Sequence, residues 1–432
     1  MMKMEPKLRK FPYPYKAALS VANDLDNMSW EDFCEVRKFL NTEMDTLMGR
    51  GVGLEIGDTF WFYSLLPNQV SYFRGVSDKR FPYSGLLLEM AKAGYLDCLH
   101  SYGDFSRWEN PSNPIYFNRK LAERAVEEAL KNGVYFDTYI NHGDNFNIQN
   151  IFLQLIRAEG DNPKSEAYHT DLTIDELGVR FYWSGELSAV VGQDRKLRFD
   201  DYDYHLFRSG HLLKNIAKTA LRMNHRKRKV FGNELSRLVV LRDGRHIMDF
   251  TRYCYKYAYI YTPPGRGVLK IQLSDKVLNR LEKTAGYMII YTHFGQPPKR
   301  GSRGLFDEEL ISLFKALKKR NADGKLWITT TSRVLRYNYT HKYLKWSVNR
   351  DDSGATIIDI EGVGGPINIE PFYQGLTFYC SEPRKAVIRI GGRKVENLII
   401  NDKDESGFKS VSIPMNSLEF PADVLNCRDY SS

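Results

Sequence analysis

Lys16–Asn27 reads KAALSVANDLDN, a run of small and apolar residues that closes on two aspartates one residue apart. A continuous apolar run bounded by turn formers reads as a strand buried on both faces, the kind found in parallel sheets. Ser29 follows, with Asp32 three residues on, close to a capping box. Phe33, Val36, Phe39, Leu40 and Met44 then recur at helical spacing, so a helix is expected from there to a stop at Gly49.

The same unit repeats outward. Gly53–Phe62 (GLEIGDTFWF) reads as a second strand with its exit loop, Tyr95–His100 as a third, Val134–Asn141 as a fourth and Val179–Trp183 as a fifth. Leu238–Phe250 holds a sixth, preceded by an added hairpin, and Gly286–His293 (GYMIIYTH) is the seventh. Helical patterns over Tyr83–Ala93, Arg119–Lys131, Asp307–Lys319 and Ser332–Tyr343 alternate with them, and Lys325–Thr331 adds a short strand. Strand–helix alternation means parallel strands joined by crossover helices, and about seven units favour a barrel over an open sheet. The Gly-rich turn of a dinucleotide-binding open sheet is missing after the first strand. After Tyr343 the helical period disappears. Thr356–Ile360, Thr377–Tyr379, Ala386–Ile390, Val395–Ile400 and Ser410–Ile413 are short β-rich runs punctuated by Gly, Pro, Asn and Asp. The expected organisation is α/β: a (β/α)7 barrel over residues 1–344, then a small all-β sandwich over 345–432.

Composition narrows the class. Of 432 residues 42% are hydrophobic and 13% aromatic, which is ample for a packed core and excludes a disordered chain. The longest apolar stretches, such as Gly85–Met90, fall far short of the roughly 18–20 residues of a membrane span. A formal charge of +9 permits an anionic partner without demanding one. The first residues lack the apolar run of a secretory signal. The five cysteines, Cys34, Cys98, Cys254, Cys380 and Cys427, form no CxxC pair, so neither a zinc knuckle nor a disulfide framework is expected. A reducing, cytoplasmic location fits best.

In a parallel barrel, chemistry gathers at the C-terminal ends of the strands. Those ends carry Asp24 and Asp26, Glu55 and Asp58, His100 to Asp104, Asn141-His142-Gly143-Asp144-Asn145, Trp183-Ser184-Gly185-Glu186, and Thr292-His293. One histidine at a strand end is usually a satisfied polar group, and one aspartate after a strand is usually a turn or cap residue. Three strands ending in histidine, beside a first ending in Asp-x-Asp, point instead to a divalent-metal site. Other features read as structure. The basic run His225–Lys229 has no accompanying nucleic-acid motif and reads as solvated surface, so no nucleic-acid partner is expected. Asp200-Asp201-Tyr202-Asp203 lacks the glycine and distal glutamate of a calcium loop and reads as a turn. The aromatic stripe Tyr253–Tyr261 reads as packing. His169, His205, His211, His225, His246 and His341 have no strand-end placement.

On these residues the chain resembles the polysaccharide deacetylase (NodB-homology) superfamily of metal-dependent carbohydrate esterases. That family has a (β/α)7 barrel whose first strand ends in two acidic residues, a general base and a metal ligand; Asp24 and Asp26 stand in those places. Its His-Ser/Thr-x-x-His metal motif corresponds to His100-Ser101-Tyr102-Gly103-Asp104, with Asp104 where the second histidine belongs. Its last strand ends in a general-acid histidine, matched by Met288–His293, and Gly324–Tyr337 resembles its closing segment. Its Arg-x-Pro-Tyr motif is missing, the fourth exit reading Asn-His-Gly-Asp. The resemblance covers about residues 16–340.

The resemblance implies hydrolysis of an N-acetylated saccharide. Asp26, His100 and Asp104 would hold a divalent ion, zinc first, with cobalt, nickel or manganese as alternatives. Asp24 would be the base and His293 the acid. His142 stands as the alternative ligand to Asp104 or as a donor to substrate. His142, Asp144, Trp183 and Glu186 are the candidate substrate contacts, with Trp183 and Trp61 or Trp108 as platforms for a sugar ring. Two other readings stay open at this point. A glycoside hydrolase would pair two of Asp24, Asp144 and Glu186 at about 5–9 Å. A non-catalytic glycan-binding protein would keep the barrel without the full ligand set. The expected partner in every case is a carbohydrate.

Overall fold

A computed structural model of the chain describes residues 5–105, 115–143, 146–152, 157–198, 201, 233–255, 266–295 and 305–421. Trp108, Asp144, the basic run Arg226–Lys229, the histidines at 205, 211 and 225, and most of the Tyr253–Tyr261 stripe lie outside the described residues.

The main sheet is built from β1 (Ala17–Asn23), β2 (Gly57–Phe60), β3 (Leu96–His100), β4 (Thr138–Ile140), β5 (Phe181–Trp183), β6 (Leu187–Ser188), β7 (Ser236–Val240), β8 (His246–Phe250), β9 (Arg252–Tyr253), β10 (Tyr287–Thr292) and β11 (Leu326–Ile328). Its order is β6-β9-β10-β1-β2-β3-β4-β5-β8-β7, with β11 also paired to β1. Every pairing is parallel except the β7–β8 hairpin. The result is a mixed α/β structure with a curled, mainly parallel sheet. Every residue of β1 is buried, as its unbroken apolar run requires.

Helices α1 (Trp30–Asn41), α2 (Ser84–Lys92), α3 (Arg119–Lys131), α4 (Arg266–Gln272), α5 (Asp275–Thr284), α6 (Glu308–Ala322) and α7 (Thr331–Tyr343) connect or flank the strands. Ser29 caps α1 by accepting from the Asp32 N–H, as its spacing predicts. The helix ends at Asn41, however, not at Gly49. The N–H groups of Val52, Gly53 and Leu54 take the carbonyls of Phe39, Thr42 and Leu40. The same bonds explain why the second strand begins only at Gly57: residues 52–54 satisfy the helix end instead of a neighbouring strand. The fourth strand is likewise shorter than expected, because the Val134 N–H is spent on Ala129 at the end of α3.

Helix α7 lies against strand segments near their N-terminal ends. Thr331 bonds Ser20, Ser332 bonds both Asp97 and Thr138, and the Tyr339 ring meets Phe181. It runs directly into β12 (Leu344–Arg350), which pairs with β13 (Thr356–Val363). The remaining β-rich runs become β14 (Thr377–Tyr379), β15 (Ala386–Ile390), β16 (Arg393–Lys394), β17 (Ile399–Asn401) and β18 (Ser410–Ser412). They form two four-stranded sheets, and the segment Lys7–Leu8 completes one of them by pairing with β14.

One buried ion pair braces the start of this arrangement. Arg37 on α1 and Asp58 on β2 are both fully buried, with Nε 2.9 Å from Oδ2. Arg37 also donates to the Ile56 carbonyl, and Asn23 donates to Asp58 Oδ1 at 2.7 Å. Burial outweighs the arginine and moves the Asp58 carboxyl up to about 6. Removing one partner leaves an uncompensated buried charge, so Arg37→Ala is expected to lower the unfolding free energy by about 3–5 kcal/mol, whereas the apolar pair Arg37→Met with Asp58→Leu loses much less. Urea denaturation of both variants checks the difference.

Candidate functional site

The ends of β1, β3, β4, β5, β9 and β10 meet on one rim. Asn23, the last residue of β1, ties this rim to its neighbours: its amide donates to Asp58 near the start of β2, and its oxygen accepts from the Phe294 N–H after β10 at 2.7 Å. Asp24 is then tied to β10 through its own N–H and the Thr292 carbonyl. The backbone of Asp26 and Asn27 lies so close to Gly295 that any Cβ there would meet the Asp26 carbonyl at 2.5 Å. A glycine is therefore required where the seventh strand's exit loop passes the first.

Asp24 is buried and forms a two-point ion pair with Arg252, Nη1–Oδ2 3.0 Å and Nη2–Oδ1 3.3 Å. Arg252 is itself fully buried, its guanidinium 4.4 Å from the Trp183 ring centre and 4.7 Å from that of Tyr291. Burial opposes ionisation of Asp24, but Arg252 and the imidazoles of His100 and His293 prevail and hold the carboxyl below its ordinary value.

Asp26 sits among three histidines. Its Oδ1 is 3.0 Å from His142 Nε2. Its Oδ2 is 3.3 Å from His293 Nε2 and 3.9 Å from His100 Nδ1. Burial again opposes ionisation, and the charges and hydrogen bonds of His293 and His142 pull the carboxyl well below its usual range. Oδ2 is buried with no hydrogen bond of good geometry. An orphaned carboxylate oxygen facing imidazole nitrogens is a place a divalent cation fits, and Asp26, His100 and His142 form a cluster that can hold one. Asp104 stands beside this group, its Oδ1 3.9 Å from His142 Nε2, while His142 is the residue grouped with Asp26 and His100.

The remaining candidates separate. His100 ends β3 and stacks on Trp61 at 5.0 Å; burial pushes its pKa down to about 4 despite Asp24 and Asp26. Trp61 is only 1% exposed, so it cannot serve as the sugar platform expected of it. Trp183 is half-buried, its Nε1–H donating to the Glu186 carbonyl and its face taken by Arg252. Glu186 directs its carboxylate to Arg237 at 3.1 Å. Glu55 and Asp58 are structural: Glu55 accepts from Arg333, Thr329 and the Leu418 N–H. A cleft of about 850 Å³ lies at the other end of the strands, among Asp97, Arg180, Arg333 and Phe372, away from this rim.

Arg252 and the amides Asn147, Gln149 and Asn150 beyond β4 are not marked by the sequence. Arg252 is a lone charge in the apolar run HIMDFTRY, and that isolation was the available signal. After β4, Asn141 exchanges two bonds with the backbone of Ile151, and Asn150 does the same with His142. Gln149 and Asn147 complete this brace, and His169 supports it by a 2.7 Å bond to the Gln149 carbonyl.

No protein-family model matches the chain, and no curated protein matches it. Among the described residues no helix is long and apolar enough to cross a membrane, and no disulfide joins Cys34, Cys98, Cys254 and Cys380.

His169 supplies a test of this supporting layer. Burial pushes its pKa down to about 4, against an ordinary value near 6.5. Between those values the unfolded chain binds a proton that the folded chain refuses. Its contribution is therefore complete above pH 6.5 and is lost as pH falls toward 4, at up to about 1.4 kcal/mol per pH unit. His169→Gln should flatten the dependence of unfolding free energy on pH in that window, measured by denaturation at pH 4.5, 5.5 and 6.5.

Proposed function

We propose that the chain is a metal-dependent hydrolase acting on carbohydrate, which removes the acetyl group from an N-acetylated glycan or glycan precursor on a seven-stranded (β/α) barrel. The observation that carries this reading is the pairing of a carboxylate held ionised by a buried arginine, Asp24, with a second carboxylate, Asp26, set among His100, His142 and His293. The barrel reading draws support from the strand path. β5 pairs with β8 and its continuation β6 with β9, while β9, one residue beyond β8, pairs with β10. Those pairings lead from β1 through β5 and back to β1 by way of β10.

Asp26 and His100, with His142 near, would hold the ion, and zinc suits such a mixed nitrogen and oxygen set best. A bound divalent ion supplies an acidified water and polarises the acetamide carbonyl. The protein's own residues do the rest. Asp24, kept anionic by Arg252, accepts the proton of the attacking water. His293, in its protonated form, passes a proton to the departing amine nitrogen as the C–N bond breaks, so that acetate and the free amine leave. The Trp183, Arg252 and Tyr291 stack forms a rigid wall that keeps Asp24 oriented.

A glycosidase needs a protonated acid beside its second carboxylate. Among the described candidates Asp24 pairs with Arg252 and Glu186 with Arg237, so neither is placed for that part.

Incubation with N-acetylated oligosaccharides and a divalent metal should release acetate without new reducing ends, and Asp26→Ala or His100→Ala should lower the rate by at least about a hundredfold. Acetate release unchanged in both variants, or new reducing ends in its place, refutes the assignment. Glycan affinity that survives chelation with no product at all points to a binding protein instead. Arg252→Gln tests the base directly. Loss of the guanidinium raises the Asp24 pKa, so the acidic limb of the kcat/KM profile should move to higher pH, as read from initial rates across pH 4–8.

A further inference from the structure

Which nitrogen of His142 carries its proton can be read from groups that have no choice. The Phe105 backbone N–H can only donate, and it donates to Asn147 Oδ1 at 2.9 Å. Gln149 Nε2 donates to the Gly103 carbonyl at 2.8 Å, an acceptor only, and to the same Asn147 Oδ1 at 2.9 Å. Two donors therefore fix the Asn147 oxygen, and its Nδ2 must face the other way, 2.9 Å from His142 Nδ1. That imidazole nitrogen is then an acceptor, and the neutral ring carries its proton on Nε2. The surroundings of Nε2 agree. It faces Asp26 Oδ1 at 3.0 Å and Asp104 Oδ1 at 3.9 Å, a setting that favours N–H over a lone pair. Asn147 and Gln149 are fully buried, so no water competes for these bonds.

We infer that Asn147 is a positioning residue that holds His142 in the Nε2–H tautomer, which makes His142 a hydrogen-bond donor to Asp26 and leaves Asp26 Oδ2 and His100 as the atoms facing a cation. A histidine that ligates through Nε2 normally donates its Nδ1–H to an oxygen; here the partner of Nδ1 is itself a donor. His142 thus orients Asp26 by binding one carboxylate oxygen, while the other, 3.3 Å from His293 Nε2, makes no hydrogen bond of good geometry. This deepens the proposed reading of the site and rests on it only for the metal.

The test is ¹⁵N-resolved NMR of the imidazole nitrogens in the full, metal-free chain, which separates protonated from unprotonated ring nitrogens. The expected result is a protonated Nε2 and an unprotonated Nδ1 at His142; the reverse overturns the inference. Asn147→Asp keeps an acceptor for Phe105 and Gln149 and presents a second acceptor to His142, so the ring should switch to Nδ1–H, and a ring that does not switch removes Asn147 from the role. Zinc titration of the same proteins reads the consequence. His142→Gln should retain one-to-one zinc with affinity lowered about 10–100-fold, and Asn147→Asp should bind more tightly than the unmodified chain. Loss of stoichiometric zinc in His142→Gln, with the fold intact by circular dichroism, makes His142 a ligand and refutes the inference. A chain that binds no zinc defeats the metal reading, while the tautomer is still decided by the spectra.

Discussion

Asp24 is buried and Asp26 largely enclosed, one residue apart, at the end of one strand. Burial costs each carboxylate hydration, Asp24 almost all of it and Asp26, which stays 19% exposed, most of it. The surrounding structure answers both problems separately. Asp24 receives a guanidinium from β9, which lies beyond β10 from β1, so Arg252 reaches across the end of one intervening strand and rests on Tyr291 as it does so. Asp26 receives imidazoles from the ends of β3 and β10 and from the exit of β4. Neither solution is local. The curl of the sheet has to bring these strand ends within side-chain reach before Asp24 can be buried, and Asp26 largely enclosed, as anions.

Neutral amides supply much of the precision. Asn23 joins the ends of β1 and β10 to the start of β2. Asn141 and Asn150 tie the chain around His142 to that around Ile151, and Asn147 with Gln149 orients the His142 ring. An amide carries a donor and an acceptor in fixed relation, so a row of them transmits orientation without adding charge to a rim that already holds several carboxylates. That economy suits a site whose proposed chemistry depends on keeping Asp24 ionised and Asp26 aimed.

Much of the rim was legible in the chain. His100, His142 and His293 could be found because each follows a run whose hydrophobicity marks a buried strand, and burial leaves the strand's polar end as the first place where chemistry can occur. Asp24 and Asp26 were legible for the same reason. Arg252 was not, because an arginine in HIMDFTRY gives no hint of which carboxylate it meets, and that partner is 228 residues away. Trp61 was misjudged because an aromatic at a strand exit looks alike whether its face meets solvent or, as here, a histidine ring. The helix expected to run to Gly49 stops at Asn41 because residues 52–54 return to take its last carbonyls, an event that helical periodicity cannot register.

By itself the sequence determined the alternation of buried strands and amphipathic helices, the change to short β runs after Tyr343, and the set of acidic and imidazole groups at strand ends. Those follow from local periodicity and from the tendency of apolar runs to leave water. Only the tertiary structure decided which groups share a charge: Asp24 with Arg252, Asp26 with three imidazoles, and Glu186 with Arg237. Electrostatic partnership depends on distance in space and on the loss of water around both groups, and neither quantity is defined until the sheet has curled around them.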